Sequence, residues 1–98
     1  MKDLFPVVLQ AVPAEDMIVF AYMQDGTVRK LDMKPVIEKG GIFEQLKNPD
    51  IFKNTITVLN DTVAWDISGN RSNSDCIDID PFIVAECPVV TDPLYSAG

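Results

Sequence analysis

Four aspartates in the last third of the chain are the residues whose types and spacing could do chemistry: Asp66, Asp75, Asp78 and Asp80. The last three lie within residues 75–84, whose sequence is DCIDIDPFIV. Carboxylate oxygens are the ligands that Ca²⁺ and Mg²⁺ prefer, and positioned carboxylates also act as general acids and bases. One interpretation is therefore a small metal-dependent enzyme that uses these four side chains.

The spacing does not complete a known calcium loop. A loop of the EF-hand type needs oxygen ligands at positions 1, 3 and 5, a glycine at position 6 and a glutamate at position 12. Counted from Asp66, the ligands Ser68 and Asn70 fit, but Arg71 occupies position 6 and Ile77 occupies position 12. A glycosidase-like pair would need a cleft and separated carboxylates. We therefore predict no tightly bound metal, no cofactor and no catalytic residues.

A structural interpretation accounts for the same acidic stretch. The alternation after Asp75 predicts a strand with Ile77 and Ile79 facing the core and Asp78 facing solvent. The pair Asp80-Pro81 is typical of a helix N-cap followed by the first helical position. On this interpretation Asp75 closes the preceding polar loop.

The chain contains no histidine and two cysteines, Cys76 and Cys87. Without histidine, Ser-His-Asp and Cys-His catalysis are excluded. A structural zinc site needs four cysteine or histidine ligands, so two thiols do not suffice. We predict that both cysteines are small buried hydrophobic residues, and a disulfide or redox pair is the alternative.

Length and charge restrict the class of protein. The 98 residues predict one domain over residues 1–90, followed by a flexible tail over residues 91–98. Eight basic and 15 acidic residues give a net charge of −7, which opposes binding to nucleic acid or anionic membranes and favours a basic partner. No apolar run approaches the roughly 18 residues that a transmembrane helix requires. No signal peptide is recognised, so we expect a cytoplasmic protein.

Two hairpins are predicted. Residues 17–23 and 27–33 read as antiparallel strands joined through Asp25-Gly26, and residues 4–12 form a further strand. Residues 55–60 and 62–67 form a second hairpin that turns at Asp61. Trp65 shares a face with Val63 in this hairpin and is expected in the core, with its indole N–H bonded at the rim.

Short helical segments separate the hairpins. Pro35 and Gly40-Gly41 mark the start and the end of one helix, and Asn48-Pro49 marks the start of another. Residues 42–48 form a short amphipathic stretch between them. The predicted fold class is α+β, in which the short helices lie across one face of the sheet.

Three segments of the sequence resemble the bacterial domain of unknown function 2442 family. They are FAYMQDGTVRKLDM, GGIFEQLKNPDIFKN and TVAWDISGNRSNSDCIDIDP, and together they span roughly residues 7–86. The matching features are Asp25-Gly26, Asp32, Phe43, Leu46, Phe52, Trp65, Asp78, Ile79, Asp80 and Pro81. The family's usual Leu-Tyr after the proline is replaced by FIVAE, so a role for that aromatic residue is not carried over.

The resemblance implies a small α+β domain, with a small mixed or antiparallel sheet of about five strands and short helices on one face, and it implies no established activity. Some relatives resemble members of toxin–antitoxin pairs, and others look fused to a helix-turn-helix domain that this sequence does not contain.

Our functional prediction is a non-enzymatic interaction or regulatory module of antitoxin-like type that binds a basic protein partner. The last 40 residues contain seven acidic residues and only Arg71 as a countercharge. We predict that Asp66, Asp75, Asp78 and Arg71 form the interaction surface. The alternative remains a metal-dependent enzyme built on the four aspartates, and the sequence leaves homo-oligomerisation open.

Overall fold

The computed structural model describes residues 6–67, 69 and 76–91, and it confirms the α+β class. Its strands are β1 Val8–Ala14, β2 Ile18–Met23, β3 Val28–Asp32, β4 Ile56–Leu59, β5 Thr62–Asp66, β6 Cys76–Asp78 and β7 Val89–Val90. Its α-helices are α1 Lys34–Glu38, α2 Pro49–Asn54 and α3 Pro81–Glu86, and two 3₁₀ helices cover Glu15–Met17 and Gly41–Lys47. The strands form two antiparallel sheets, where the sequence predicted one sheet of about five strands.

The first sheet has the strand order β1-β2-β3-β7 and contains the hairpin predicted at Asp25-Gly26. Gly26 takes a φ of +92°, a conformation that side chains disfavour. Asp25 Oδ1 accepts hydrogen bonds from the Thr27 backbone N–H at 2.9 Å and the Thr27 hydroxyl at 2.6 Å. These bonds fix the turn between β2 and β3. The edge strand β7 was not predicted.

The second sheet has the order β4-β5-β6 and contains the second predicted hairpin. Leu59 pairs with Thr62, so the turn consists of Asn60 and Asp61 and not of Asp61 alone. Both turn residues have positive φ, at 52° and 66°, as a two-residue type I′ turn requires. The sheets meet at this turn, where the Val8 backbone N–H donates to the Asp61 carbonyl at 2.8 Å.

Trp65 is at the centre of the core, as predicted, and is fully buried. Its ring lies 5.6 Å from the ring of Phe52 in α2, measured between centroids, at an angle of 41°. The indole N–H donates to the Phe52 carbonyl at 3.1 Å, and this hydrogen bond is buried and not at the rim. The prediction that Ile77 and Ile79 face the core is confirmed.

Each α-helix begins with a proline in its first turn, as predicted. The Asn48 side chain caps α2 by accepting from the Asp50 backbone N–H at 2.9 Å. The Asp80 side chain caps α3 by accepting from the Phe82 backbone N–H at 2.9 Å. Residues 42–48 belong mainly to a 3₁₀ helix. None of the helices in the described ranges combines the length and apolar composition needed to cross a bilayer.

Both cysteines are free and partly buried, so the disulfide alternative is wrong and their predicted burial is incomplete. Cys76 lies in β6, and Cys87 follows α3. Of the predicted tail, residues 92–98 lie outside the described residues, as do Arg71 and Asp75.

Candidate interaction surface

Asp66 and Asp78 lie on the same face of the second sheet. Asp66 pairs with Cys76 and Ala64 pairs with Asp78, while Trp65 and Ile77 pair on the opposite, core-facing side. Because side chains alternate between faces along a strand, the two carboxylates occupy diagonal positions on neighbouring strands. The strand alternation anticipated in the sequence therefore brings these two residues near each other.

The two carboxylates are nevertheless in different environments. Asp66 is half-buried, and its Oδ1 accepts from the Gly69 backbone N–H at 3.0 Å and from the Cys76 thiol at 3.8 Å. It thus stabilises the end of β5. Asp78 is exposed, and no cation of the described residues lies within ion-pair distance of it. Of the predicted surface residues within the described ranges, Asp78 is the one whose charge is available to a partner.

Asp80 is exposed, and its carboxylate holds the first turn of α3. The Thr62 hydroxyl fixes the same segment by donating to the Ile79 carbonyl at 2.5 Å. The position of Asp78 and Asp80 at the surface is therefore set by the cap of α3, by the hydrogen bond from Thr62 in β5 to Ile79, and by the pairing of β5 with β6.

The four aspartates of the enzyme hypothesis are not all described. Among the described residues, no three carboxylate or thiol side chains come close enough together to hold a metal ion. Asp75 lies outside those residues, and Asp66 is engaged with Gly69 and Cys76. The four-carboxylate hypothesis therefore gains no geometric support in the described ranges.

A groove adjoins Asp78 and Asp80. It has a volume of about 500 Å³ and lies between β3, α1, the 3₁₀ helix Gly41–Lys47, β6 and α3. Leu31, Met33 and Ile79 line it and are buried, and Ile83 lines it with 55% of its surface exposed. The remaining lining residues are Asp32, Val36, Lys39, Phe43, Asp78, Asp80 and Cys87. The groove, which we call the acidic groove, is mainly apolar and carries three carboxylates.

Of the three carboxylates that line the acidic groove, only Asp32 forms an ion pair within the described residues. Asp32 accepts a hydrogen bond from the Lys34 backbone N–H at 3.0 Å and forms an ion pair with the Lys34 ammonium at 3.1 Å. The backbone hydrogen bond, with the side-chain contact, lowers the pKa of Asp32, so this carboxylate is ionised at neutral pH. Asp78 and Asp80 form no ion pair with any described residue. Their negative charge is uncompensated except by Lys39 nearby.

Cys87 contributes a neutral group to the same groove. Burial raises the pKa of its thiol above the ordinary value, in spite of the nearby Arg29 guanidinium. The thiol is therefore protonated at neutral pH and contributes a weakly polar surface. It is positioned because Arg29 Nη1 donates to the Cys87 carbonyl at 2.8 Å.

Sequence analysis did not identify Val36, Phe43 or Ile83 as surface residues of interest. One signal was present in α3, whose sequence PFIVAE contains apolar residues at four successive positions. A helix of six residues can bury only one face, and here Val84 is buried while Phe82 and Ile83 remain about half exposed. The surplus of apolar residues in a short helix was the sequence feature that indicated an apolar surface.

No family model matches the chain, and no similar curated protein or solved structure was found. The resemblance to the domain of unknown function 2442 family rests on the sequence motifs alone. The functional argument below accordingly starts from the acidic groove and the charge of the chain.

Proposed function

We propose that this protein is a non-enzymatic interaction module that binds a basic protein partner through its acidic surface. The observation that carries the proposal is Asp78, an exposed carboxylate that forms no ion pair with any described residue and lies beside an apolar groove. Unpaired surface charges attract a partner of opposite sign from a distance and orient it during encounter. A regulatory role of antitoxin-like type is supported by the sequence resemblance.

The charge of the whole chain supports the same function. The net charge of −7 repels phosphate backbones and anionic lipids and attracts cationic protein surfaces. The three ion pairs found in the described ranges all lie at exposed positions, where each such pair contributes little to stability. Two free thiols suit a reducing compartment, and we place the protein in the cytoplasm on that ground.

The proposal is tested by immobilising the protein and passing native lysate over it at low ionic strength. We expect retention of one specific protein with a basic face, and its release as salt is raised, because the Debye length shortens to about 3 Å at 1 M salt. A matched column carrying Asp78→Asn should retain less of that protein, while a column carrying Glu38→Gln should retain as much as wild type. Glu38 is an exposed acid outside the acidic groove, so it controls for net charge alone. Retention of no specific protein at low salt would contradict the proposal.

A further inference from the structure

The acidic groove combines an apolar lining with exposed carboxylates, and each of these would contact a different part of one ligand. Its apolar lining includes three side chains that are not fully buried, Val36, Phe43 and Ile83. Its charged lining includes Asp78 and Asp80, neither of which has an ion-pair partner in the described ranges. A ligand that fits both features carries large apolar groups and positive charge close together.

We propose that the acidic groove is the docking site for a short amphipathic segment of the basic partner. Large apolar side chains of that segment contact Val36, Phe43 and Ile83, and its lysine or arginine side chains face Asp78 and Asp80. This inference rests on the proposed function and adds the site and the chemistry of the bound segment. Amphipathic segments that lay apolar anchors in a groove are a recurring mode of peptide recognition.

The size of the groove fits apolar side chains of a peptide. Its volume of about 500 Å³ falls within the range of roughly 300–1,000 Å³ typical of ligand sites. Two of the lining side chains, Leu31 and Met33, are each 2% exposed and belong to the packed core. Ile83 is 55% exposed and would lose contact with water when the groove is occupied. Apolar burial is therefore available to the partner without any rearrangement of the core.

Charge complementarity decides which amphipathic segment binds. Asp32 is already paired with Lys34, so the carboxylates left for a partner are Asp78 and Asp80. Lys39 also lines the groove but forms no ion pair with either of them. An acidic segment would be repelled, and a second copy of this chain, with its own net charge of −7, is disfavoured for the same reason.

The probes are three synthetic peptides of about 12 residues, a length that spans about 18 Å when helical. One carries leucine anchors with lysines, the second carries the same leucines with glutamates, and the third carries the lysines with alanine in place of leucine. Each peptide is titrated into the 98-residue chain, and binding is followed by amide NMR shifts. We expect the leucine-lysine peptide to shift the resonances of residues that line the groove and to bind at least about tenfold more tightly than the other two.

Two pairs of matched variants test the site. Ile83→Ala should weaken binding of the leucine-lysine peptide about tenfold through lost apolar burial, while Ile42→Ala should leave it unchanged. Ile42 is 62% exposed and does not line the groove, so it matches Ile83 in exposure and type. Asp78→Asn should weaken binding and reduce its salt dependence, whereas Glu38→Gln should not. Dispersed amide spectra of all four variants establish that they fold.

Four results would overturn the docking site. In the peptide experiment, these are the absence of binding by the leucine-lysine peptide at low salt, equally tight binding of the leucine-glutamate peptide, and amide shifts spread over the whole acidic surface. In the variant experiment, it is an affinity for the leucine-lysine peptide that Ile83→Ala leaves unchanged. Groove shifts on concentrating the protein alone, with a dimer in sedimentation, would identify a second copy as the occupant and overturn it also. The docking site and the proposed function can be told apart. If a partner retained from lysate is released by salt but binds Ile83→Ala as well as wild type, the proposed function stands and only this docking site is removed.

Discussion

Asp66 and Asp78 are the same residue type on one face of the second sheet, but they have different roles. Asp66 accepts hydrogen bonds from Gly69 and Cys76 and stabilises a strand end, while Asp78 is exposed beside the acidic groove. Composition and spacing predicted where both residues would lie, but not which carboxylate would be hydrogen-bonded within the fold. That difference depends on the turn after β5, which periodicity does not specify.

The Asp25 carboxyl should titrate below its ordinary pKa of about 3.9. The Thr27 hydroxyl and then the Thr27 backbone N–H donate to it, and both favour the ionised form. Because the folded-state pKa is lowered, the stability that Asp25 contributes is present above the unfolded pKa and is lost as pH falls through the folded value. NMR titration should show the pKa rising in Thr27→Val while that of Asp32 stays unchanged; an unchanged Asp25 would contradict this account of the turn.

Calorimetry with calcium, magnesium, manganese and zinc should give no binding tighter than about millimolar, the weak end for oxygen sites. The reason is that Asp66 is engaged within the fold and no three candidate ligands converge in the described part of the chain. A micromolar isotherm that disappears in Asp78→Asn would restore the metal-dependent alternative.

Trp65→Ala should lower the free energy of unfolding by about 3–5 kcal/mol, as large-to-small changes at buried aromatic residues do. The ring is fully buried against Phe52 and joins β5 to α2. Urea denaturation measures the effect, and Ile42→Ala, at an exposed position, serves as the control and should change stability little. Trp65→Phe should fall between them, since it leaves the Phe52 carbonyl without its donor. A Trp65→Ala variant as stable as wild type would refute the core assignment.

At the scale of elements, the sequence predicted turns and helix starts wherever the residues that form them are adjacent in the chain. Asp25-Gly26 specified a hairpin, and Asn48-Pro49 and Asp80-Pro81 specified helix starts, because each turn or cap is completed within a few residues. The edge strand β7 has only two residues, so it shows no alternation. It forms because Val90 and Val89 pair with Val28 and Arg29 of β3, a pairing between distant segments that a local pattern does not reveal. Arg29 Nη1 and the Lys30 backbone N–H also donate to the Cys87 and Pro88 carbonyls just before the strand, at 2.8 and 3.0 Å.

The cap of α3 gives a test at this scale. Asp80→Ala should cost about 1 kcal/mol of unfolding free energy, since the Phe82 backbone N–H loses its acceptor. Asp80→Asn keeps a side-chain oxygen and should cost much less, although it removes the charge. Thermal denaturation of the two variants compares them directly. Equal losses would mean that the carboxylate acts through its charge and not as a cap.

At the scale of the whole molecule, the α+β class follows from the sequence, while the division into two sheets does not. Which strands pair across long separations depends on tertiary contacts, here the pairing of β3 with β7 and the backbone hydrogen bond from Val8 to Asp61. The acidic groove was unpredictable for the same reason, because five segments of the chain contribute its lining. The net charge of −7 is readable from composition, and it supports the functional proposal that Asp78 and the acidic groove carry.

The most direct test of the proposal is the association rate constant of the protein with the partner retained from lysate, measured over a series of salt concentrations. For wild type we predict a rate that falls steeply as salt rises, since steering by Asp78 and its neighbours acts over a Debye length of about 8–10 Å at 0.1–0.15 M salt. Asp78→Asn should associate more slowly at low salt and converge with wild type at high salt, while Glu38→Gln follows the wild-type curve. An association rate that ignores both salt and Asp78→Asn would contradict recognition of a basic partner by this acidic surface.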